Sequence, residues 1–167
     1  MIQPRPILAK VREALFSSLG NRVEGVSFLD LYAGTGRCGL EALKRGARFA
    51  VFVEKNRVTA KGLRIAIREL GFEEKAQVLN KDVFSAIRQL KEQFDIIFLG
   101  PPYKDFLVNK TVEAIALSGI LNSDGIIIAE HHKKEAVEDK MGIFIRAKEK
   151  RYGETALSFY VYEKDKD

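Results

Sequence analysis

Five short runs constrain the fold: VSFLDLY at 26–32, RFAVFVE at 48–54, AQVLNKD at 76–82, FDIIFLG at 94–100 and GIIIAEHH at 125–132. They are rich in β-branched and aromatic residues, and most are almost continuously apolar, as strands are when both faces of their sheet are covered. Between them, 38–45, 57–70, 83–91 and 106–117 carry helical patterns, with Ala60, Leu63, Ile67 and Leu70 forming one apolar stripe. Strands alternating with helices predict an α/β fold, a mostly parallel doubly wound sheet with helices on both faces. The two ends add to this. Leu8, Val11, Leu15 and Leu19 recur at helical spacing before Gly20 and Asn21, which predicts a leading helix over about 7–19. At the other end, GIFIRAKEKRYGETALSFYVYE is two strand-like runs meeting at Tyr152, Gly153 and Glu154, so the C-terminal edge should turn back as an antiparallel pair.

No repeat, low-complexity tract or linker interrupts the 167 residues, and that length suits one domain over 1–167 with a frayed tail at 163–167. Cys38 is the only cysteine, so an internal disulfide is excluded and a reducing, cytoplasmic setting is expected. The N-terminal stretch lacks the apolar core of a signal peptide, and no apolar run approaches the ~20 residues that span a bilayer. Neither export nor membrane insertion is expected. The 28 Lys and Arg residues outnumber the 23 acidic ones, giving a formal charge of +5 that favours a polyanionic partner without requiring one.

FLDLYAGTGRCGLEAL places Gly34 and Gly36 between the first strand and a helix, the context in which a glycine loop lets backbone approach a ligand. Tight strand-to-helix packing is the competing reading. Asp30, on the first strand, would repel a pyrophosphate but attract a positively charged cofactor, which suits S-adenosylmethionine better than NAD. Glu54 ends the second strand, where a carboxylate can accept from both hydroxyls of an adenosine ribose. Asp82, after the third, could accept from the adenine amino group or cap the following helix. In an open sheet of this kind, ligands bind outside the carboxyl ends of the strands, so these three acids should converge there.

The fourth strand runs into Gly100-Pro101-Pro102-Tyr103, a corner beside the same crevice. The prolines fix φ and supply no N–H, so they can hold carbonyl oxygens in set directions, and Tyr103 offers a flat face for a base. The sequence here resembles the amino-methyltransferases with an Asp/Asn-Pro-Pro-Tyr motif, most closely the RsmD-like small-subunit ribosomal RNA guanine-N2 methyltransferases. The resemblance rests on RP at 5–6, VREALF at 11–16, LDLYAGTGRCGLEALKRGA at 29–47, FVEKN at 52–56, FDIIFLGPPY at 94–103 and RYGETALSFY at 151–160.

The resemblance implies a Rossmann-like class I methyltransferase fold binding S-adenosylmethionine through Asp30, Gly34, Gly36, Glu54 and Asp82. It also implies a target guanine amino group held at Gly100, Pro101, Pro102 and Tyr103. The implied partner is the small ribosomal subunit or an assembly intermediate, met by a monomer. The target base should be unpaired or flipped out, since its amino group cannot reach such a pocket from within a helix. This sequence departs from the family pattern in carrying Gly100 where the motif has Asp or Asn, in Ile7-Leu8-Ala9 where the family is polar, and in showing no basic hairpin before Arg5. Weak, salt-dependent binding to free RNA is therefore expected. Restoring Asp or Asn at position 100 is expected to raise the rate. A catalytically weakened cofactor- or RNA-binding homologue, or a DNA adenine or protein glutamine methyltransferase, are the alternatives.

Arg5, Lys10, Arg12 and Lys104 are the expected RNA contacts, whereas Arg57, Lys61, Arg64 and Arg68 form a stripe read as a solvated helix face. Cys38 is read as a packing residue. His131 and His132 are strand neighbours that point to opposite faces, so no metal site is expected from them.

Overall fold

The computed structural model describes residues 8–164. Helix α1 (Ala9–Leu19) precedes β1 (Ser27–Leu31), α2 (Arg37–Lys44), β2 (Phe49–Val53), α3 (Arg57–Glu69), β3 (Ala76–Leu79) and α4 (Val83–Gln89). Then follow β4 (Phe94–Leu99), α5 (Val108–Ser118), β5 (Leu121–His132), β6 (Lys140–Met141), β7 (Phe144–Tyr152) and β8 (Thr155–Tyr162). One eight-stranded sheet has the order β3-β2-β1-β4-β5-β8-β7-β6. Its first five strands are parallel, while β8 lies antiparallel between β5 and β7. The chain leaves β1 in one direction and returns at β4 in the other, so a crevice opens at the carboxyl ends of these two strands.

Side chains alternate across the parallel strands. Phe28, Phe52, Phe98 and Ile128 point to the face covered by α1, α2 and α3, where they pack with Leu15, Phe16, Leu43, Leu63 and Ile67. Leu29, Val51, Ile97 and Ala129 point to the opposite face, against Val83 and Ile87 of α4 and Val112 and Ile115 of α5. Burial on both sides explains the continuous apolar runs. Each fully buried Leu, Ile or Phe contributes about 1.5–3 kcal/mol relative to exposure, so truncating Phe52 or Ile97 would cost more than any surface change.

Helix boundaries follow local chemistry. Asn56 caps α3 by accepting from the Thr59 N–H at 2.9 Å, and Gly119 ends α5 in the left-handed region. The apolar stripe of α3 closes at Ile67: Leu70 lies beyond the helix and is exposed, because the chain has already turned towards Gly71. The predicted leading helix begins at Ala9 within the described residues.

Candidate active site

Leu31 pairs with Val53 on one side and Leu99 on the other, and Leu99 pairs with Ala129. The next positions, Glu54, Gly100 and Glu130, therefore stand level at the carboxyl ends of β2, β4 and β5. By strand alternation they share the face of Phe52, Phe98 and Ile128. Asp30 shares this face too, one pleat deeper in β1. Parallel register thus gathers residues from four strands at one edge.

The glycine loop connects β1 to α2, and its geometry explains both glycines in structural terms as well. Gly34 and Gly36 have φ of 58° and 80°, the region that favours glycine. A Cβ on Gly36 would also lie 2.3 Å from Leu63 Cδ1, so the loop is pressed onto α3. Tyr32, just before the loop, holds φ at 63° and ties its hydroxyl to Thr111 Oγ1 at 2.7 Å. Two of the three expected cofactor acids are fixed by backbone. Glu54 Oε1 accepts from Gly34 N–H at 2.9 Å and Oε2 from Asn56 N–H at 2.8 Å, while the Asn80 side chain donates to the Glu54 carbonyl at 2.9 Å. Asp30 accepts from Gly39 N–H at 2.9 Å, which anchors the first turn of α2 to the sheet. Burial pushes the Asp30 carboxyl up to about 8, against the lowering effect of the Gly39 bond and with added repulsion from Glu54.

Asp82 stands outside β3 as the N-cap of α4, its oxygens accepting from Ser85 N–H at 3.0 Å and Ser85 Oγ–H at 2.8 Å. These bonds hold its carboxyl below the usual range. Capping, one of the two roles read from the sequence, accounts for this residue as it stands.

At the corner after β4, Pro101 is buried, Pro102 is exposed, and Tyr103–Asp105 form a single 3₁₀ turn. The Tyr103 hydroxyl donates to Glu130 Oε1 at 2.8 Å and lies 2.8 Å from Thr155 Oγ1, and its ring meets His132 edge-on at 5.7 Å. Glu130 and Thr155 thus join a site in which the sequence reading had not placed them. Their signal was present: Glu130 is an acid at a strand end, like Glu54, and Thr155 lies within RYGETALSFY. Phe106, with φ of 50° and 68% exposure, adds an open aromatic next to the turn.

The basic residues divide. Arg5 lies outside the described residues. Lys10 and Lys104 are exposed, whereas Arg12 is half-buried and 4.0 Å from Glu41 of α2. On α3, Arg57, Lys61, Arg64 and Arg68 are all exposed, with Arg64 donating to the Val78 carbonyl at 3.3 Å and Arg68 3.8 Å from Glu73. Cys38 is buried in the core, which pushes its thiol well up and leaves it a packing role. His131 bonds Ser158 on one face and His132 pairs with Glu154 on the other. Among the described residues, no group of three or more His, Cys, Asp or Glu side chains is arranged to hold a metal, and no helix is long and apolar enough to cross a membrane. Two shallow hollows, around Gln93 and Tyr162 and around Arg22 and Asp124, lie at the opposite, amino-terminal ends of the strands. The carboxyl ends of the strands collect the ionisable groups, so they are the better candidate.

Strand order, the glycine loop after β1 and the antiparallel β7–β8 edge define the class I methyltransferase fold. Residues 2–161 match the family described as conserved hypothetical protein 95, and the chain belongs to that family, the RsmD-like group. It is 29% identical over 161 residues to ribosomal RNA small subunit methyltransferase D of Escherichia coli, covering 95% of this chain and 80% of that one. A solved structure of a conserved hypothetical protein from Streptococcus pyogenes superposes with a TM-score of 0.84 at 33% identity, over 91% of this chain and 95% of the other. An RNA methyltransferase from Salinibacter ruber, solved in complex with S-adenosyl-L-homocysteine, shares the fold at TM-score 0.72 and 16% identity, over 98% of this chain and 97% of that one.

Proposed function

We propose that this protein transfers a methyl group from S-adenosylmethionine to the exocyclic N2 amino group of a guanine in small-subunit ribosomal RNA. The observation that carries the reading is the gathering of Asp30, Glu54 and the Gly100–Tyr103 corner at one edge of the sheet, in a chain whose family includes ribosomal RNA small subunit methyltransferase D.

The donor chemistry fits the residues. Burial, with a smaller contribution from Glu54, makes ionisation of Asp30 costly, and a sulfonium cation beside it would relieve that cost. Glu54 has both oxygens aimed by backbone N–H groups, and each retains acceptor capacity for a ribose hydroxyl. When bound, the donor supplies an electrophilic methyl group. The chain supplies position: the Pro102 carbonyl is tied to Asp105 N–H at 3.1 Å, which fixes the turn and leaves the Pro101 carbonyl as the corner's backbone acceptor, and the Tyr103 ring is held by its hydroxyl, ready to receive a base. An exocyclic amino lone pair is delocalised into its ring, so acceptors near its protons favour the reactive geometry.

Among the described residues, Lys10 and Lys104 are the basic side chains of this reading with open access to phosphate. Gly100 favours a second reading, a homologue that binds donor and RNA without efficient transfer. The assay that decides is transfer of a tritiated methyl group to purified small subunits, followed by nucleoside digestion. Label in N2-methylguanosine is expected; donor binding with no label in RNA supports the second reading, and label in DNA or protein contradicts both.

A further inference from the structure

A second basic row, on β7, is built differently from the stripe of α3. Lys148, Lys150 and Tyr152 alternate along β7 onto one face, paired across β8 with Phe159, Leu157 and Thr155. That is the face of α1: Phe159 and Leu157 belong to the core beneath this helix, Tyr152 packs against it, and Lys150 Nζ donates to Ser18 Oγ of α1 at 3.0 Å. Ser18, Ala14 and Lys10 recur at four-residue spacing along that side of the helix. Because β7 runs parallel to β5, the row leads to the carboxyl edge of the sheet, where Thr155, the partner of Tyr152, lies 2.8 Å from the Tyr103 hydroxyl. With a rise of about 3.4 Å per residue, Lys150 stands roughly 7 Å and Lys148 roughly 14 Å from Tyr152 along the strand.

The charges of this row are uncompensated. Lys148 is exposed, with its Nζ over the Phe159 ring 4.6 Å from the centroid; desolvation, then the charges of Lys150 and Arg22, hold its ammonium below the usual lysine value. Among the described residues, neither Lys148 nor Lys150 pairs with a carboxylate. Glu149, between them, turns to the other face, where Arg146 reaches it at 3.0 Å and Arg151 at 2.6 Å. Arg22 shares its hollow with Asp95 and Asp124 and is not counted with the row. On α3, by contrast, Arg64 and Arg68 have protein partners. Cations crowded on one face without counter-charge are stabilised by a polyanion laid across them.

We propose that Lys148 and Lys150 hold phosphates of the RNA strand flanking the target nucleotide, along a track that ends at Tyr152 beside the crevice; this rests on the ribosomal RNA reading above. Both ammonium groups keep donors for it: Lys150 uses one of its three on Ser18, and Lys148 rests on a ring face. Such contacts fix the direction in which the strand enters and leave the choice of base to the corner.

The test is the salt dependence of binding to purified small subunits, from about 50 to 200 mM KCl. Lys148→Gln/Lys150→Gln should flatten the slope of log affinity against log salt by about 1.4, since each phosphate contact on a single strand contributes about 0.7. Over that range wild type should lose about seven-fold more affinity than the variant. Arg57→Gln/Lys61→Gln on α3 removes the same charge and should keep the wild-type slope. Affinity for S-adenosylmethionine, measured by calorimetry, should match wild type in both variants and reports that each is folded. Should the β7 double variant fail to bind donor, Lys148→Gln alone, which leaves the Ser18 bond in place, should flatten the slope by about 0.7. An unchanged slope in the β7 variant, an equal change in the α3 variant, or a loss by the same factor at every salt concentration would overturn the proposal while leaving the function intact. Wild type that binds small subunits with this salt dependence but methylates no guanine would remove the function reading and leave the phosphate track standing; wild type that does not bind them would remove both.

Discussion

The two halves of the crevice are built from different materials. On the β1–β2 side, the carboxylates of Asp30 and Glu54 are held by main-chain N–H groups of Gly39, Gly34 and Asn56, and the loop between them is wedged against Leu63. On the β4–β5 side, Glu130 and Tyr103 are held by side chains, through the shared hydroxyls of Tyr103 and Thr155. Backbone donors are present whatever the sequence, so the first half tolerates little change of shape and much change of neighbour. A side-chain network can shift to accommodate a neighbour. That is the difference between Gly36, where a Cβ would strike Leu63 at 2.3 Å, and Gly100, where it would meet the end of the Glu130 side chain at 3.0 Å.

The largest effect should come from testing those two glycines alike. Gly36→Ala forces a Cβ to 2.3 Å from Leu63 Cδ1 at φ of 80°. Overpacking of this kind costs about 1–3 kcal/mol, and the left-handed backbone adds about 1–2 kcal/mol. A fall in Tm of roughly 10 °C should follow in a domain of this size. Gly100→Ala meets the end of a flexible glutamate at 3.0 Å and should lose under about 1 kcal/mol. Equal shifts in thermal unfolding would erase the contrast between the halves.

A smaller effect concerns Asp30, whose carboxyl rises to about 8 on folding. Between its unfolded value and about 8 the native state holds a proton that the unfolded chain has released. This contribution to stability is thus complete at low pH and lost as pH rises, with a slope of at most about 1.4 kcal/mol per pH unit. Asp30→Asn keeps an acceptor for Gly39 N–H but does not titrate, so urea unfolding of this variant should show a flatter pH profile from pH 5 to 8. A wild-type profile equally flat would mean that Asp30 stays ionised and that burial does not dominate its environment.

The elements that sequence patterning made legible are those with continuous apolar burial. VSFLDLY, RFAVFVE and FDIIFLG became β1, β2 and β4 because both faces of each are covered. The first residues of β5, Leu121 to Asp124, were not legible. Asn122, Ser123 and Asp124 carry no apolar pattern, and Leu121 enters the sheet by pairing with Phe94 ahead of a register shift. β6 is two residues long, with too little pattern to be seen. At the candidate site, Asp30 and Glu54 could be picked out as acids of strands that lead into a glycine loop and a turn. Glu130 carried a similar signal, but only the Leu99–Ala129 register places it beside the Gly100 corner. The Tyr103–Thr155 contact spans 52 positions and exists only because β8 returns antiparallel beside β5, which no local pattern encodes.

The division of labour across the crevice can be tested in one set of curves: the single-turnover rate of methyl transfer to small subunits against S-adenosylmethionine concentration, for wild type, Glu54→Ala and Glu130→Gln. Glu54→Ala removes a charged acceptor from the proposed ribose site, a loss of about 1.5–3 kcal/mol, so half-saturation should move up by roughly ten-fold to over a hundred-fold with little change in the plateau. Glu130→Gln, which weakens the bond that holds the Tyr103 hydroxyl, should lower the plateau and leave half-saturation in place. Variants that both shift half-saturation, or both lower the plateau alone, would contradict a crevice with a backbone-built donor side and a side-chain-built acceptor side.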